Sequence, residues 1–140
     1  MKDHDQSCIF CKISKGELSS YTIFESSTVM AFLDIRPFSS GHTLLIPREH
    51  YRWIWDLPNE MLEEFYSSAN QIAKKLKVVF ETDNVYSLTM GEMVPHCHLH
   101  IIPDSSIGFS GNLSELLEKE RLSPTEDELL SLCDKIRSSD

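Results

Sequence analysis

The stretch Pro95-His96-Cys97-His98-Leu99-His100-Ile101-Ile102-Pro103 holds three of the chain's six histidines in strict alternation. Successive side chains of an extended chain point to opposite faces. His96, His98 and His100 therefore share one face, while Cys97, Leu99 and Ile101 share the other and have the character of core. A solvated or internally hydrogen-bonded face accounts for a single histidine, but three in register opposite an apolar face point to a reactive or metal-binding site. One metal cannot easily take all three. His96 and His100 are two pleats apart, about 13 Å along a strand, whereas zinc ligands approach to ~2 Å. The spacing better suits one metal ligand, one nucleophile and one phosphate donor. Imidazole fits transfer at phosphorus, because its ordinary pKa near ~6.5 leaves it largely neutral and nucleophilic at pH 7. If Nδ1–H is tied to a backbone carbonyl, Nε2 becomes the attacking atom, and neighbouring donors can stabilise the phosphorus transition state.

Cys8 and Cys11 form a C-x-x-C pair, a spacing used by metal sites and redox dithiols. No thioredoxin-like βαβ pattern surrounds them, which disfavours the redox reading. Cys97 and Cys133 sit in apolar patterns and read as core.

Positioning these residues requires a sheet. Residues 21–25 and 28–34 alternate and are joined by Ser26-Ser27, which reads as a hairpin. A turn-rich loop over 34–41 leads to a strand over 42–47. Pro58, as the first helical residue, opens a long helix with an apolar stripe of Met61, Leu62, Phe65, Ala69, Ile72, Ala73 and Leu76. Residues 84–90 and 96–102 read as two further strands. Ser123-Pro124-Thr125-Glu126 reads as a capping box with proline at the first helical position, before a stripe of Leu129, Leu130, Cys133 and Ile136. The expected fold is α+β: a five-stranded, mostly antiparallel sheet with one long helix and C-terminal helices. A single domain over 1–140 is expected, with 1–7 as a flexible tail and 112–140 as a helical C-terminal extension.

The 13 Lys and Arg against 22 Asp and Glu give a net charge of −9. That balance disfavours binding to a nucleic-acid backbone, which depends on phosphate neutralisation. No apolar run approaches a membrane span and the N-terminus lacks an apolar signal segment. The expectation is a cytoplasmic protein without a disulfide framework or membrane partner.

His96-Cys97-His98-Leu99-His100-Ile101-Ile102 resembles the H-x-H-x-H motif of the histidine-triad (HIT) family of nucleotide hydrolases and transferases. Cys8-Ile9-Phe10-Cys11-Lys12-Ile13, Ala31-Phe32-Leu33-Asp34-Ile35-Arg36-Pro37 and Gly41-His42-Thr43-Leu44-Leu45-Ile46-Pro47 resemble other segments of that family in the same order. The resemblance implies the HIT fold and attack by His98 on the α-phosphorus of a purine nucleotide, through a covalent nucleotidyl-histidine. It implies phosphate contacts from His100 and His42, and ribose hydroxyls held by Asp34. It further implies an apolar base pocket of Ile9, Phe10, Ile13, Phe32, Leu33 and Ile35, of which Ile13, Phe32 and Leu33 are more readily explained as core. His50 and His96 resemble the partners of Cys8 and Cys11 in zinc-binding members, a Cys₂His₂ set suited to structural tetrahedral zinc and with no position left for an activated water. A homodimer is implied as well.

The chain departs from the family pattern before the motif. The loop from Tyr86 to Pro95 is several residues short, Glu92 stands where Gln is usual and Met93 where Ser or Thr is common, and Asp104 replaces an Arg that often follows. A carboxylate beside the leaving group repels an anionic one. This favours a nucleoside phosphoramidate or another compact nucleotide ester over dinucleoside polyphosphates. The alternative expectation is a non-catalytic nucleotide-binding or scaffold protein on the same fold.

Overall fold

The computed structural model describes residues 7–91, 93–104 and 113–139. The first six residues of the expected tail, Glu92 of the short loop, and residues 112 and 140 of the expected extension lie outside the described residues. The chain forms helix α1 (Ile9–Ser14), strands β1 (Thr22–Glu25), β2 (Val29–Leu33) and β3 (Thr43–Pro47), helix α2 (Asn59–Phe80), strands β4 (Val85–Leu88) and β5 (Leu99–Pro103), and helices α3 (Leu113–Glu118) and α4 (Glu126–Arg137). The strands make one sheet in the order β1-β2-β3-β5-β4, and every neighbouring pair is antiparallel. This is the expected five-stranded sheet with one long helix and C-terminal helices.

Ser26 turns the first hairpin. Its N–H donates to the Val29 carbonyl at 2.9 Å, and its Oγ accepts from the N–H groups of Thr28 and Val29. Strands β2, β3 and β5 are buried on both faces, and the period of two divides their side chains between two cores. Val29, Ala31, Leu33, Leu45, Leu99 and Ile101 pack beneath Phe65, Ile72 and Leu76 of α2 and Leu129, Cys133 and Ile136 of α4. On the other face Met30, Phe32, Leu44 and Ile46 pack against Cys8, Phe10, Cys11 and Ile13. Cys97 and Cys133 are core residues, as their apolar surroundings suggest.

Three local boundaries differ from the sequence reading. Pro58 is the N-cap of α2 and not its first helical residue: its ψ of 151° keeps it extended while its carbonyl accepts the Leu62 N–H at 2.9 Å. The capping box of α4 is Thr125 with Glu128, each side chain accepting from the other's backbone N–H at 3.1 Å, so Pro124 precedes the cap. Leu130 of the expected stripe points outward, at 48% exposure. The final strand begins at Leu99, where its pairing with Leu45 of β3 ends. The Pro47 carbonyl instead meets Nε2 of His96 at 2.9 Å, and the Cys97 N–H donates to the Tyr51 carbonyl. His96 and His98 therefore sit in the segment that leads into the strand.

Gly41 delivers the chain into β3 with φ of +93°, and a Cβ there would run into the Phe80 ring and Pro103. Glycine meets both demands, and His42 follows it immediately before β3. No helix among the described residues is long and apolar enough to cross a membrane.

Candidate active site and adjoining metal site

The register pairs Leu44 with His100 and brings His42 beside the β5 histidine. His42 Nε2 and His100 Nδ1 are 2.9 Å apart. The Phe38 backbone N–H donates to His42 Nδ1 at 3.1 Å, so that nitrogen carries a lone pair and the His42 proton resides on Nε2. His42 thus donates to His100 Nδ1, which places the His100 proton on its own Nε2. His98 Nδ1 lies 2.7 Å from the His96 carbonyl, which can only accept. The His98 proton is therefore on Nδ1 and its Nε2 bears a free lone pair. Backbone groups at both ends set the tautomers of all three rings.

The three rings are packed together. His98 and His100 have centroids 5.0 Å apart, the Phe10 ring abuts His98 edge-on at 5.2 Å, and Phe38 stacks on His42. Burial disfavours their charged forms. It pushes the His42 pKa down to about 3 and that of His100 down to about 4, with neighbouring positive charge adding to both. Burial lowers the His98 pKa also, opposed by the hydrogen bond to His96 and the negative charge of Asp34. At neutral pH the cluster presents a lone pair on His98 and an N–H on His100.

Asp34 lies at the edge of this cluster. Its Oδ1 accepts the Arg36 N–H at 2.8 Å, and its Oδ2 lies 3.3 Å from Arg121 Nη1 and 3.7 Å from His42 Nε2. Burial raises its pKa, with the Arg36 N–H and the Arg121 charge pulling it back. Among the residues expected around a base, Phe10 and Phe32 are buried and meet edge to face at 5.7 Å. Ile9 and Ile35 are exposed, at 49% and 60%. Ile13 belongs to the same small core as Phe10, whereas Leu33 packs in the helix-side core on the opposite face. Phe38 and Arg121 escaped the sequence reading. The Arg121 guanidinium sits 4.0 Å above the Phe38 ring, but no local motif marks a residue so distant in sequence.

The second cluster lies one residue pair away. Cys8 and Cys11 Sγ stand 3.3 and 3.4 Å from His96 Nδ1, and Cys11 Sγ stands 3.1 Å from His50 Nδ1. All four residues are buried and their donor atoms lie within 4.8 Å of one another. A tetrahedral ion with metal–sulfur near ~2.3 Å and metal–nitrogen near ~2.0 Å separates S and N donors by about 3.5 Å. The residues present fit such a centre and could hold a metal ion. Cys8 reaches it as the N-cap of α1, its Sγ accepting the Cys11 N–H. His96 Nε2 is anchored on Pro47, the usual outer-shell support for a histidine ligand.

The family model described as the HIT domain matches residues 15–107, and the chain belongs to this family. It is 35% identical over 103 residues to "Protein hit" of Bacillus subtilis, a match covering 70% of this chain and 71% of that protein. It is 39% identical over 102 residues to the adenosine 5′-monophosphoramidase HNT1 of Saccharomyces cerevisiae, covering 71% of this chain and 63% of that protein. Among solved structures, a HIT-like protein of Bartonella henselae involved in cell-cycle regulation superposes with a TM-score of 0.80 at 29% identity, over 98% of both chains. A zinc-bound histidine triad family protein of Mycobacterium smegmatis superposes with a TM-score of 0.71 at 28% identity, over 94% of this chain and 96% of that one.

The buried neutral histidines make stability depend on pH in a definite direction. The unfolded chain binds protons near the ordinary pKa of ~6.5, whereas folded His42 and His100 resist them until about 3 and about 4. Their contribution is complete above pH ~6.5 and is lost as pH falls through this window. Each such proton gives a slope of about 1.4 kcal/mol per pH unit. Urea unfolding of His42→Gln should show a slope between pH 6 and pH 5 shallower than wild type by about one proton. Identical slopes would mean that His42 is not held neutral.

Proposed function

We propose that this chain is a nucleotide hydrolase or transferase that cleaves at the α-phosphorus of a nucleoside phosphoramidate or related compact nucleotide through a covalent intermediate on His98. The observation that carries this reading is the 2.7 Å contact between His98 Nδ1 and the His96 carbonyl, which leaves Nε2 as a lone pair on a buried neutral ring. In the first step Nε2 attacks phosphorus. The new P–N bond forms as the bond to the leaving nitrogen breaks, and that nitrogen departs with the electron pair and takes up a proton. In the second step water attacks phosphorus, the P–Nε2 bond breaks, and the 5′-nucleotide and a proton leave. His100 Nε2–H donates to a phosphoryl oxygen as negative charge develops there. His42 has both ring nitrogens engaged inside the protein, so it acts by holding His100 in the donating tautomer, with no direct phosphate bond.

Asp34 takes the ribose hydroxyls, and Phe10 and Phe32 form the buried floor of the base pocket, with exposed Ile9 and Ile35 at its rim. Among related proteins, the yeast enzyme's name as an adenosine 5′-monophosphoramidase supports this substrate class. Cys8, Cys11, His50 and His96 would hold a structural zinc ion, which ties α1 to the segment carrying His98. The zinc-bound relative supports that choice of metal. The chain works as a homodimer: β4 is one of the two edge strands of the sheet, and beside it runs a groove lined by Tyr66, Ala73 and Val85. The protein acts in the cytoplasm on its small nucleotide substrate, without nucleic-acid or membrane partners.

Two experiments test this. Mass spectrometry of a quenched reaction with an adenosine phosphoramidate should find a nucleotidyl adduct on His98, and His98→Ala should lower kcat by a factor on the order of 10⁴ or more. An adduct on another residue, or nucleotide binding without turnover in wild type, would contradict the mechanism; the latter would favour the non-catalytic alternative. Metal analysis of protein purified without chelator should find about one zinc per chain by the four-donor site. Cys8→Ser should lose zinc and melt at a lower temperature. Zinc-free wild-type protein with an unchanged Tm would remove the metal site.

A further inference from the structure

Arg121 reaches Asp34 from a distant part of the chain, and Arg36, two residues beyond Asp34, gives it a backbone N–H. Arg121 Nη1 donates to Asp34 Oδ2 at 3.3 Å and to the Arg36 carbonyl at 2.9 Å. Arg36 Nε reaches back to the Leu122 carbonyl at 3.3 Å, and the Leu122 N–H donates to the Pro37 carbonyl at 2.9 Å. The two segments are thus stitched together around one carboxylate. Arg121 is also fixed over the Phe38 ring, which itself stacks on His42.

Neither guanidinium is used up by these contacts. Guanidinium has five N–H donors, and among the described residues Arg121 spends only Nη1 on other groups. Its Nε–Nη2 edge is the fork that matches two oxygens of a phosphate. Arg36 likewise keeps both terminal nitrogens and is exposed.

We propose that Arg36 and Arg121 form a subsite for a phosphate on the ribose ring, so that the site takes 5′-nucleotides bearing a 2′- or 3′-phosphate. This rests on the reading of Asp34 as the ribose acid. Asp34 binds the hydroxyl that remains free, and the arginine fork binds the phosphate on its neighbour. The same exchange separates dinucleotide sites, where an acid binds a free ribose hydroxyl and an arginine accommodates its phosphate. A nucleotide with no ribose phosphate must compete with Arg121 for Asp34 Oδ2, whereas a phosphorylated one draws the guanidinium onto itself.

Titration calorimetry at low salt separates the outcomes, using adenosine 5′-monophosphate, the 2′,5′- and 3′,5′-bisphosphates of adenosine, and adenosine 5′-diphosphate. Wild-type protein should bind one bisphosphate about tenfold more tightly than the monophosphate, as expected for new charge-assisted bonds. In Arg121→Gln the ratio of the two affinities should fall to one or below, whatever happens to the monophosphate itself, and Arg121→Lys should restore part of it. Monophosphate binding with no preference for either bisphosphate overturns this inference alone. A preference confined to the diphosphate also overturns it, because the arginines then serve the 5′ side. If the monophosphate does not bind at all, the nucleotide reading of the site falls and this subsite with it.

Discussion

The hydrogen bond from His98 Nδ1 to the His96 carbonyl, at 2.7 Å, determines which face of the His98 ring is chemically available. A neutral imidazole has one donor and one acceptor nitrogen, and committing the donor to backbone makes the other nitrogen a nucleophile by default. That bond holds only while the His96 backbone stays in place. His96 is fixed at both ring nitrogens: Nε2 on the Pro47 carbonyl and Nδ1 against the sulfurs of Cys8 and Cys11. The proline that ends β3 and the cysteines that begin α1 therefore act on His98 through a single residue.

The same economy extends to His42 and His100. The Phe38 N–H selects the tautomer of His42, which selects that of His100, so a loop amide decides where a donor points two rings away. Burial keeps this relay neutral. A neutral relay leaves little local positive charge for an anionic ligand, and the full positive charge at its edge is the Arg121 guanidinium paired with Asp34. Uncharged rings and a charged guanidinium thus occupy different parts of the cluster, the rings inside and Arg121 at its margin.

Much of this arrangement could be read from the chain alone because its parts are local or periodic. Alternation placed His98 and His100 together opposite Leu99 and Ile101, and both sides of that division hold in the two cores. The C-x-x-C spacing marked Cys8 and Cys11, and the family motif linked them to His50 and His96, which the fold gathers into one cluster. What stayed illegible depends on contacts remote in sequence. Nothing near Arg121 marks its approach to Asp34, made 87 residues away. The start of β5 at Leu99 goes with remote contacts, the Cys97 N–H being taken by the Tyr51 carbonyl and the pairing with β3 ending at Leu45. Helix starts were misplaced by one or two residues, at Pro58 and Thr125, because proline suits either side of the boundary. The exposure of Ile9 and Ile35 likewise depends on what the rest of the fold leaves uncovered.

The proposed chemistry depends on which nitrogen of each ring carries the proton, and ¹⁵N NMR of the imidazoles at pH 7 measures this directly. Long-range ¹H–¹⁵N correlations distinguish the two neutral tautomers and the cation. The geometry requires His98 to be protonated at Nδ1 only, and His42 and His100 to be protonated at Nε2 only. A His98 signal for the Nε2–H tautomer, or for imidazolium at neutral pH, would contradict the proposed mechanism, because His98 would then have no lone pair to attack phosphorus.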